Sequence, residues 1–289
     1  MKQKLSYIYV ICAALLWGCM GILVRTMNGG GLSSAEVVTV RAVITSIIMV
    51  MGMFLFNRKE LKIRGKDIWC FLGTGILSVV FFNICYFTCM NYCSLSIAAI
   101  LLYTAPAFVM VMSFFLFKEA FTWKKILALL CAFGGCVLVS GGFGGSSIGL
   151  MGLLTGLGAG FGYALYSIFG RYALQRGYSS FTITTYTFLF AAAGCIPLTG
   201  VSHIAECFLA KPGLIWQAVL WTFLTTVAAY LLYTKGLAGM EAGKASVLAT
   251  IEPVMASVVG AVLFKEDFTQ AALLGIGFVL VSSILMMKE

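Results

Sequence analysis

Residues 98–122 read AAILLYTAPAFVMVMSFFLFKEAFT, and residues 245–269 read ASVLATIEPVMASVVGAVLFKEDFT. Set 147 residues apart, the two stretches agree at 10 of 25 positions. The identities are Ala98/Ala245, Leu101/Leu248, Pro106/Pro253, Val111/Val258, Leu116/Leu263, Phe117/Phe264, Lys118/Lys265, Glu119/Glu266, Phe121/Phe268 and Thr122/Thr269. A general apolar bias yields shared Leu and Val, but not a shared Pro or a shared Phe-Lys-Glu-x-Phe-Thr. Tyr86/Tyr233 keeps the shift, and Arg25/Arg171, Ser33/Ser179 and Ser34/Ser180 match at 146. The chain is a duplicated unit. We assign the first copy to residues 1–142 and the second to 148–289.

The composition says what surrounds these copies. Of 289 residues 61% are apolar and 10% charged, against about 45–50% and 25% in soluble domains. So few charges cannot clothe a soluble protein of this size, so the solvent is lipid. Apolar runs of spanning length fall at about 5–26, 35–56, 68–90, 95–117, 122–141, 148–174, 179–200, 213–234, 245–264 and 269–287. The expected fold is an all-α polytopic membrane protein of ten transmembrane helices, five per copy. An odd number per copy makes the second enter from the opposite side, giving the inverted-topology repeat of secondary transporters. Met1-Lys2-Gln3-Lys4 and its apolar run imitate a signal peptide, but the run continues to about Val24 and reads as the first span.

The net charge of +9 is an orientation signal, not a nucleic-acid footprint. With the N-terminus inside, 15 Lys and Arg fall on the cytoplasmic side, including Arg58, Lys59, Lys62, Arg64 and Lys66. Only 4 fall outside: Arg25, Arg41, Lys211 and Lys265. By the positive-inside rule both termini are cytoplasmic, and the chain is expected to be a multi-pass protein of the cytoplasmic (plasma) membrane. Its ten cysteines lie mostly in apolar runs and read as packing residues. With one His, His203, and no CxxC, no metal site or cofactor is expected.

Trp17-Gly18 in the first helix, Arg41 early in the second, Tyr103-Thr104-Ala105-Pro106 in the fourth, the Lys118-Glu119-Ala120-Phe121-Thr122 turn and Gly134-Gly135 in the fifth form a recognisable set. Glu252-Pro253 and Lys265-Glu266-Asp267-Phe268-Thr269 echo it in the second copy. Over nearly the whole chain this resembles the EamA-type carriers of the drug/metabolite transporter superfamily. The resemblance implies movement of small organic solutes, often amino acids or other metabolites, and often outward. One departure is visible: the sixth helix has Tyr163-Ala164-Leu165 where the first has Trp17-Gly18-Cys19.

Among candidate functional residues Glu252 stands first, because it is the only acid far from a span end. An intramembrane carboxylate is costly and faces a cavity or a partner. It is a candidate proton carrier, a counter-charge for a substrate amine, or a structural carboxylate paired with Arg41. Pro253 beside it frees a carbonyl and bends the helix, and Pro106 does the same in the first copy; both are gating candidates with Arg41. Trp17, Asn83, Tyr86, Tyr103, Tyr163, Tyr166, Tyr230 and Tyr233 are the expected cavity lining. Asn83/Tyr86 and Tyr230/Tyr233 are i, i+3 pairs at matching places, able to offer hydroxyls, an amide and π faces to zwitterions or amines. Thr122 and Thr269 read as N-caps of the fifth and tenth helices, with Glu119 and Glu266 near the positive ends of those helices. Gly152, Gly156 and Gly160, with Gly158 and Gly162, form a small-residue stripe for close helix packing.

A membrane enzyme would need clustered acids, His or metal ligands, which the sequence lacks. The expected function is secondary active transport of small organic metabolites by two five-helix halves rocking around a central pocket. Amino acid or metabolite export, with protons as a candidate coupling ion, is the leading expectation. Transport of cationic amines or quaternary ammonium compounds is the alternative. The expected partners are a small-molecule substrate and the lipid bilayer, and the expected state is a monomer or homodimer.

Overall fold

The computed structural model describes residues 2–56, 58–142, 149–266 and 269–289, and among these it contains helices and connections but no strand. In chain order the helices are α1 (Lys4–Gly29), α2 (Ser34–Phe56), α3 (Gly65–Tyr92), α4 (Leu95–Phe117), α5 (Trp123–Val139), α6 (Leu150–Gln175), α7 (Ser180–Leu198), α8 (Gly213–Leu237), α9 (Ala242–Phe264) and α10 (Gln270–Met287). Nine of them are long and apolar enough to cross a bilayer. The exception is α5, whose 17 residues span about 25 Å at about 1.5 Å per residue. A short helix, Val201–Ala210, joins α7 to α8. Residue 148, where the second copy is expected to start, and Asp267 and Phe268 of the second turn lie outside the described residues.

The turns at 118–122 and 265–269 are built alike. Lys118 and Lys265 end α4 and α9 in the left-handed conformation, at φ 59° and 57°. The Thr122 hydroxyl accepts from the Lys125 amide at 3.3 Å, and that of Thr269 from the Ala272 amide at 3.1 Å, as N-caps.

The duplication also reproduces irregularities. α4 breaks at Tyr103–Thr104 and α9 at Ala249–Thr250, each just ahead of the shared proline. Thr104 donates to the Leu101 carbonyl and Thr250 to that of Val247, both at 2.6 Å, so backbone oxygens at each break find partners inside the membrane. α3 loosens to π geometry over Gly73–Val80, and α8 over Phe223–Ala228. These stretches overlap at the 147-residue shift.

The two copies pack across one another. α1 lies along α8 and α9 of the second copy, and α6 lies along α3 and α4 of the first. α2 packs on α7, α4 on α9 and α5 on α10. Exchanging the copies maps this pattern onto itself, as an inverted repeat requires. The glycine stripe makes the α6 contacts possible. A Cβ on Gly156 would stand 2.3 Å from Leu101 Cδ1, and one on Gly160 2.9 Å from the Leu101 carbonyl. Along α5 and α10, Gly135 and Gly275 abut, a Cβ on either lying 2.7 or 2.6 Å from the other's carbonyl oxygen. Their counterparts meet one stretch away, where Ser282 Oγ donates to the Ala128 carbonyl at 2.7 Å. The expected five-helix halves are therefore interleaved. One packing unit combines α1, α2, α8 and α9, and the other α3, α4, α6 and α7.

The connections are tied in the same symmetric way. Arg64 donates to the Arg176 carbonyl at 3.0 Å, and Lys211, its counterpart, to that of Gly29 at 3.2 Å. The buried Asp67 carboxylate gathers Arg64 at 2.7 Å, Tyr178 at 2.9 Å and Arg176 at 3.1 Å.

Candidate functional site

α1, α6 and α8 meet where the two packing units face each other, and their aromatic side chains fill the meeting point. The Trp17 ring lies 5.0 Å from Tyr233, 5.2 Å from Tyr230 and 6.3 Å from Tyr163, centroid to centroid. Tyr166 stands edge-on to Tyr230 at 5.0 Å. With Ser78, Phe82 and Ser167 these rings close around only about 10 Å³, room for about one water. Two of the tyrosines bond to neighbouring hydroxyls, Tyr233 to Ser167 and Tyr166 to Thr234, each at 2.7 Å.

Glu252 borders this cluster. Tyr163 donates its hydroxyl to Glu252 Oε2 at 3.1 Å, joining α6 to α9. The expected span 245–264 puts Glu252 about seven residues into an unbroken helix. The break at Ala249–Thr250 instead places it in the first turn of a new helical piece, Ile251–Phe264. Its carboxylate thus lies at a positive helix end inside the membrane. Gly18 brings α1 this close, since a Cβ there would lie 2.7 Å from the Glu252 carbonyl and 2.5 Å from Met255 Cβ.

Arg41 reaches the same region from α2. Its Nε donates to Thr226 Oγ1 at 3.1 Å, on the π stretch of α8. Among the described residues no ion pair joins Arg41 to Glu252. Thr187, the residue equivalent to Arg41, donates to Thr74 on the π stretch of α3 at 2.6 Å.

The other expected residues are dispersed. Asn83 spends its amide on the Val79 carbonyl at 2.7 Å, and Tyr86 lies tilted against Phe82 and Phe87, so this pair does not mirror Tyr230/Tyr233. Tyr103 sits at the α4 break against Ala14, Cys136 and Ile251. Pro106 and Pro253 mark the two breaks. Tyr103 and Pro253 also form the floor of a vestibule of about 310 Å³ that runs to one end of the bundle past Gly18, Ser96, Arg25 and Glu266. Ser167, Thr226 and Thr234 were missed from the sequence. Their only signal there is a hydroxyl in an apolar run.

Residues 4–141 and 150–288 each match the EamA-like transporter family. The chain is 26% identical over 246 residues to the uncharacterized transporter YetK of Bacillus subtilis, covering 83% of this chain and 74% of that one. It is 25% identical over 261 residues to an uncharacterized transporter of Archaeoglobus fulgidus, covering 89% and 90%. YwfM of Bacillus subtilis, another uncharacterized transporter, is 22% identical over 281 residues, covering 97% and 93%. A protein of known crystal structure superposes with a TM-score of 0.78 at 16% identity, over 97% of this chain and 95% of that one, which is a likeness of fold.

Proposed function

Because the chain belongs to the EamA-like transporter family, we propose that it is a secondary active carrier exporting amino acids or related small metabolites across the cytoplasmic membrane by alternating access. With both termini cytoplasmic, as the charge distribution favours, the vestibule past Arg25 and Glu266 opens outside. The units that move are the two interleaved sets, α1, α2, α8 and α9 against α3, α4, α6 and α7, with α5 and α10 packed outside them.

The observation that carries this reading is the Tyr163–Glu252 hydrogen bond. It crosses between the two units at mid-membrane, beside a break in α9, where inverted-repeat carriers place their sites. Glu252 and Arg41 present opposite charges to one region without pairing, an arrangement suited to a zwitterion. The substrate amine goes to the carboxylate and aromatic faces, and its carboxylate to the guanidinium. A proton on Glu252 would remove the anion that Tyr163 and the amine both use, which links proton movement to substrate release.

The box of Trp17, Tyr163, Tyr230 and Tyr233 favours a second reading. Such rings bind quaternary amines at about 0.5–2 kcal/mol each, with Glu252 as counter-charge. Thermal stabilisation of the purified protein across a metabolite panel separates the two. Response to quaternary amines alone would sink the amino acid reading. Flux into proteoliposomes under an imposed pH gradient tests the coupling: wild type responds and Glu252→Gln does not, whereas a fully coupled Glu252→Gln removes the proton-carrier role.

A further inference from the structure

Each end of the bundle holds a helical hairpin and an Arg–Glu couple contributed by other elements. At one end the hairpin is α8–α9 and the couple Arg171 and Glu119. At the other the hairpin is α3–α4 and the couple Arg25 and Glu266, their repeat counterparts.

The α8–α9 end is clamped. Arg171 Nη1 donates to the Leu237 carbonyl at 2.9 Å and to that of Met240 at 3.0 Å, at the end of α8. Glu119 accepts from the Ala242 amide at 2.8 Å and the Gly243 amide at 3.1 Å, the first donors of α9. Glu119 therefore caps α9 of the other copy, not its own α5. Both charges match the helix ends they meet. Glu241, at the N-cap position, is free for Lys125, 2.6 Å away.

By the repeat, Arg25 has its matching carbonyls on Met90 and Cys93, and Glu266 its matching amides on Leu95 and Ser96. Instead, Arg25 and Glu266 bond to each other, and the vestibule of about 310 Å³ stands open beside Leu95 and Ser96. A cavity of about 430 Å³ also lies at the clamped end, lined by Arg171, Met240, Glu241 and Lys244, but the exposure of matching hairpin residues follows the division. Leu95 is 61% exposed and its counterpart Ala242 is fully buried. Ala256 is exposed and Val109 buried. Beneath the clamped end Ser113 is buried with an unpartnered hydroxyl, while its counterpart Gly260 lines the vestibule.

We propose that the two Arg–Glu couples are exchangeable gate latches for transport: each clamps its hairpin when its end is closed, and pairs internally when its end is open. This rests on the alternating-access reading, in which the two copies exchange conformations. In the opposite state Arg25 takes the Met90 and Cys93 carbonyls, Glu266 takes the Leu95 and Ser96 amides, and Arg171 pairs with Glu119. All four charges are satisfied in both states. The switch therefore exchanges one set of charge-assisted bonds for another and leaves the two states close in free energy.

Cysteine accessibility tests the latch without knowledge of the substrate. Ala99→Cys reports on the vestibule, and Ser246→Cys, at the counterpart position and buried, reports on the clamped end. Each is labelled with N-ethylmaleimide in membranes, with the parent chain as background. Glu119→Gln removes two charge-assisted bonds from the clamped state but only an Arg–Glu pair, exposed in its Arg25–Glu266 counterpart, from the opposite one, so the difference is expected to raise Ser246→Cys labelling about tenfold; no rise overturns the latch. Adding Arg25→Glu with Glu266→Arg restores an internal pair but puts the wrong charge at each end of the α3–α4 hairpin. The rise should then vanish, whereas a merely structural ion pair would be rescued and the rise would persist, refuting the proposal. Should that chain fail to fold, Glu266→Gln in the Glu119→Gln background is expected to cut the rise likewise, and a fully retained rise refutes it. If the two reporters never move in opposition in any variant, alternating access itself fails. If they oppose each other but ignore the latch variants, only the latch fails.

Discussion

Gly18→Ala is the most demanding single test of how the site is assembled. The added Cβ would stand 2.5 Å from Met255 Cβ, 2.7 Å from the Glu252 carbonyl oxygen and 2.9 Å from the Ala256 amide nitrogen. Two of these atoms are backbone and cannot turn aside. Restoring ordinary contact requires α1 and α9 to part by about 1 Å. Overpacking of this kind costs about 1–3 kcal/mol, of which up to about 1 kcal/mol is returned by the better helix propensity of Ala. Gly21, one turn on, has nothing within 4 Å of its Cβ position, so Gly21→Ala keeps the propensity gain without the clash. The two variants should differ by about 1–3 kcal/mol, with Gly18→Ala melting about 3–8 °C below Gly21→Ala. Thermal unfolding in one detergent measures this. Equal melting temperatures would show that α1 and α9 do not touch at Gly18, and would remove the reason Trp17 and Glu252 are neighbours.

Asp67→Ala should lower the melting temperature more than Arg64→Ala, because the buried carboxylate serves three donors whereas Arg64, which bonds Asp67 and the Arg176 carbonyl, is half exposed; equal losses would disprove the hub role. Ser282→Ala removes an interhelical bond and should cost about 0.6 kcal/mol. Ser283→Ala, which gives up only a bond to the Val279 carbonyl of its own helix, should be neutral, and the reverse ranking in unfolding would contradict the α5–α10 contact. Glu289, beyond the last span, is held below the usual carboxylate range first by the hydrogen bond from Thr122 and then by Lys124, Lys244 and Lys125. A depressed folded value means that its contribution is complete above the unfolded value, about 4.3, and is lost as pH falls through the folded one. The melting difference between wild type and Glu289→Gln should therefore be constant from pH 7 to about 5 and disappear in more acid solution; a difference that grows on acidification would be the wrong sign.

The duplication, its inversion and the caps at Thr122 and Thr269 were legible because each rests on residue identities at fixed offsets. Trp17, Tyr163, Tyr230 and Glu252 could be chosen because polar or amphipathic groups are scarce in these spans. What could not be read is how far side chains reach between copies. Glu119 looked like a neighbour of α5, four residues on, yet its hydrogen bonds go to Ala242 and Gly243, more than 120 positions away. The breaks at Thr104 and Thr250 were foreshadowed by proline, but the change of role they give Glu252, from mid-helix acid to helix-end acid, depends on where the backbone gives way. For Asn83 the hidden element is a local option, the carbonyl one turn back that its amide takes, which sequence symmetry does not reveal.

The interleaving of the copies bears on how the chain matures as it leaves the ribosome. α1 finds its main neighbours only in α8 and α9, and α3 and α4 wait for α6, so the first copy inserts into the bilayer with its principal contact faces unsatisfied. Neither copy is a self-sufficient folding unit. Two fragments cut in the connection between α5 and α6 should each be degraded when expressed singly and should assemble when expressed together. On this reading, biogenesis of the transporter is a subunit-association step carried out within one polypeptide.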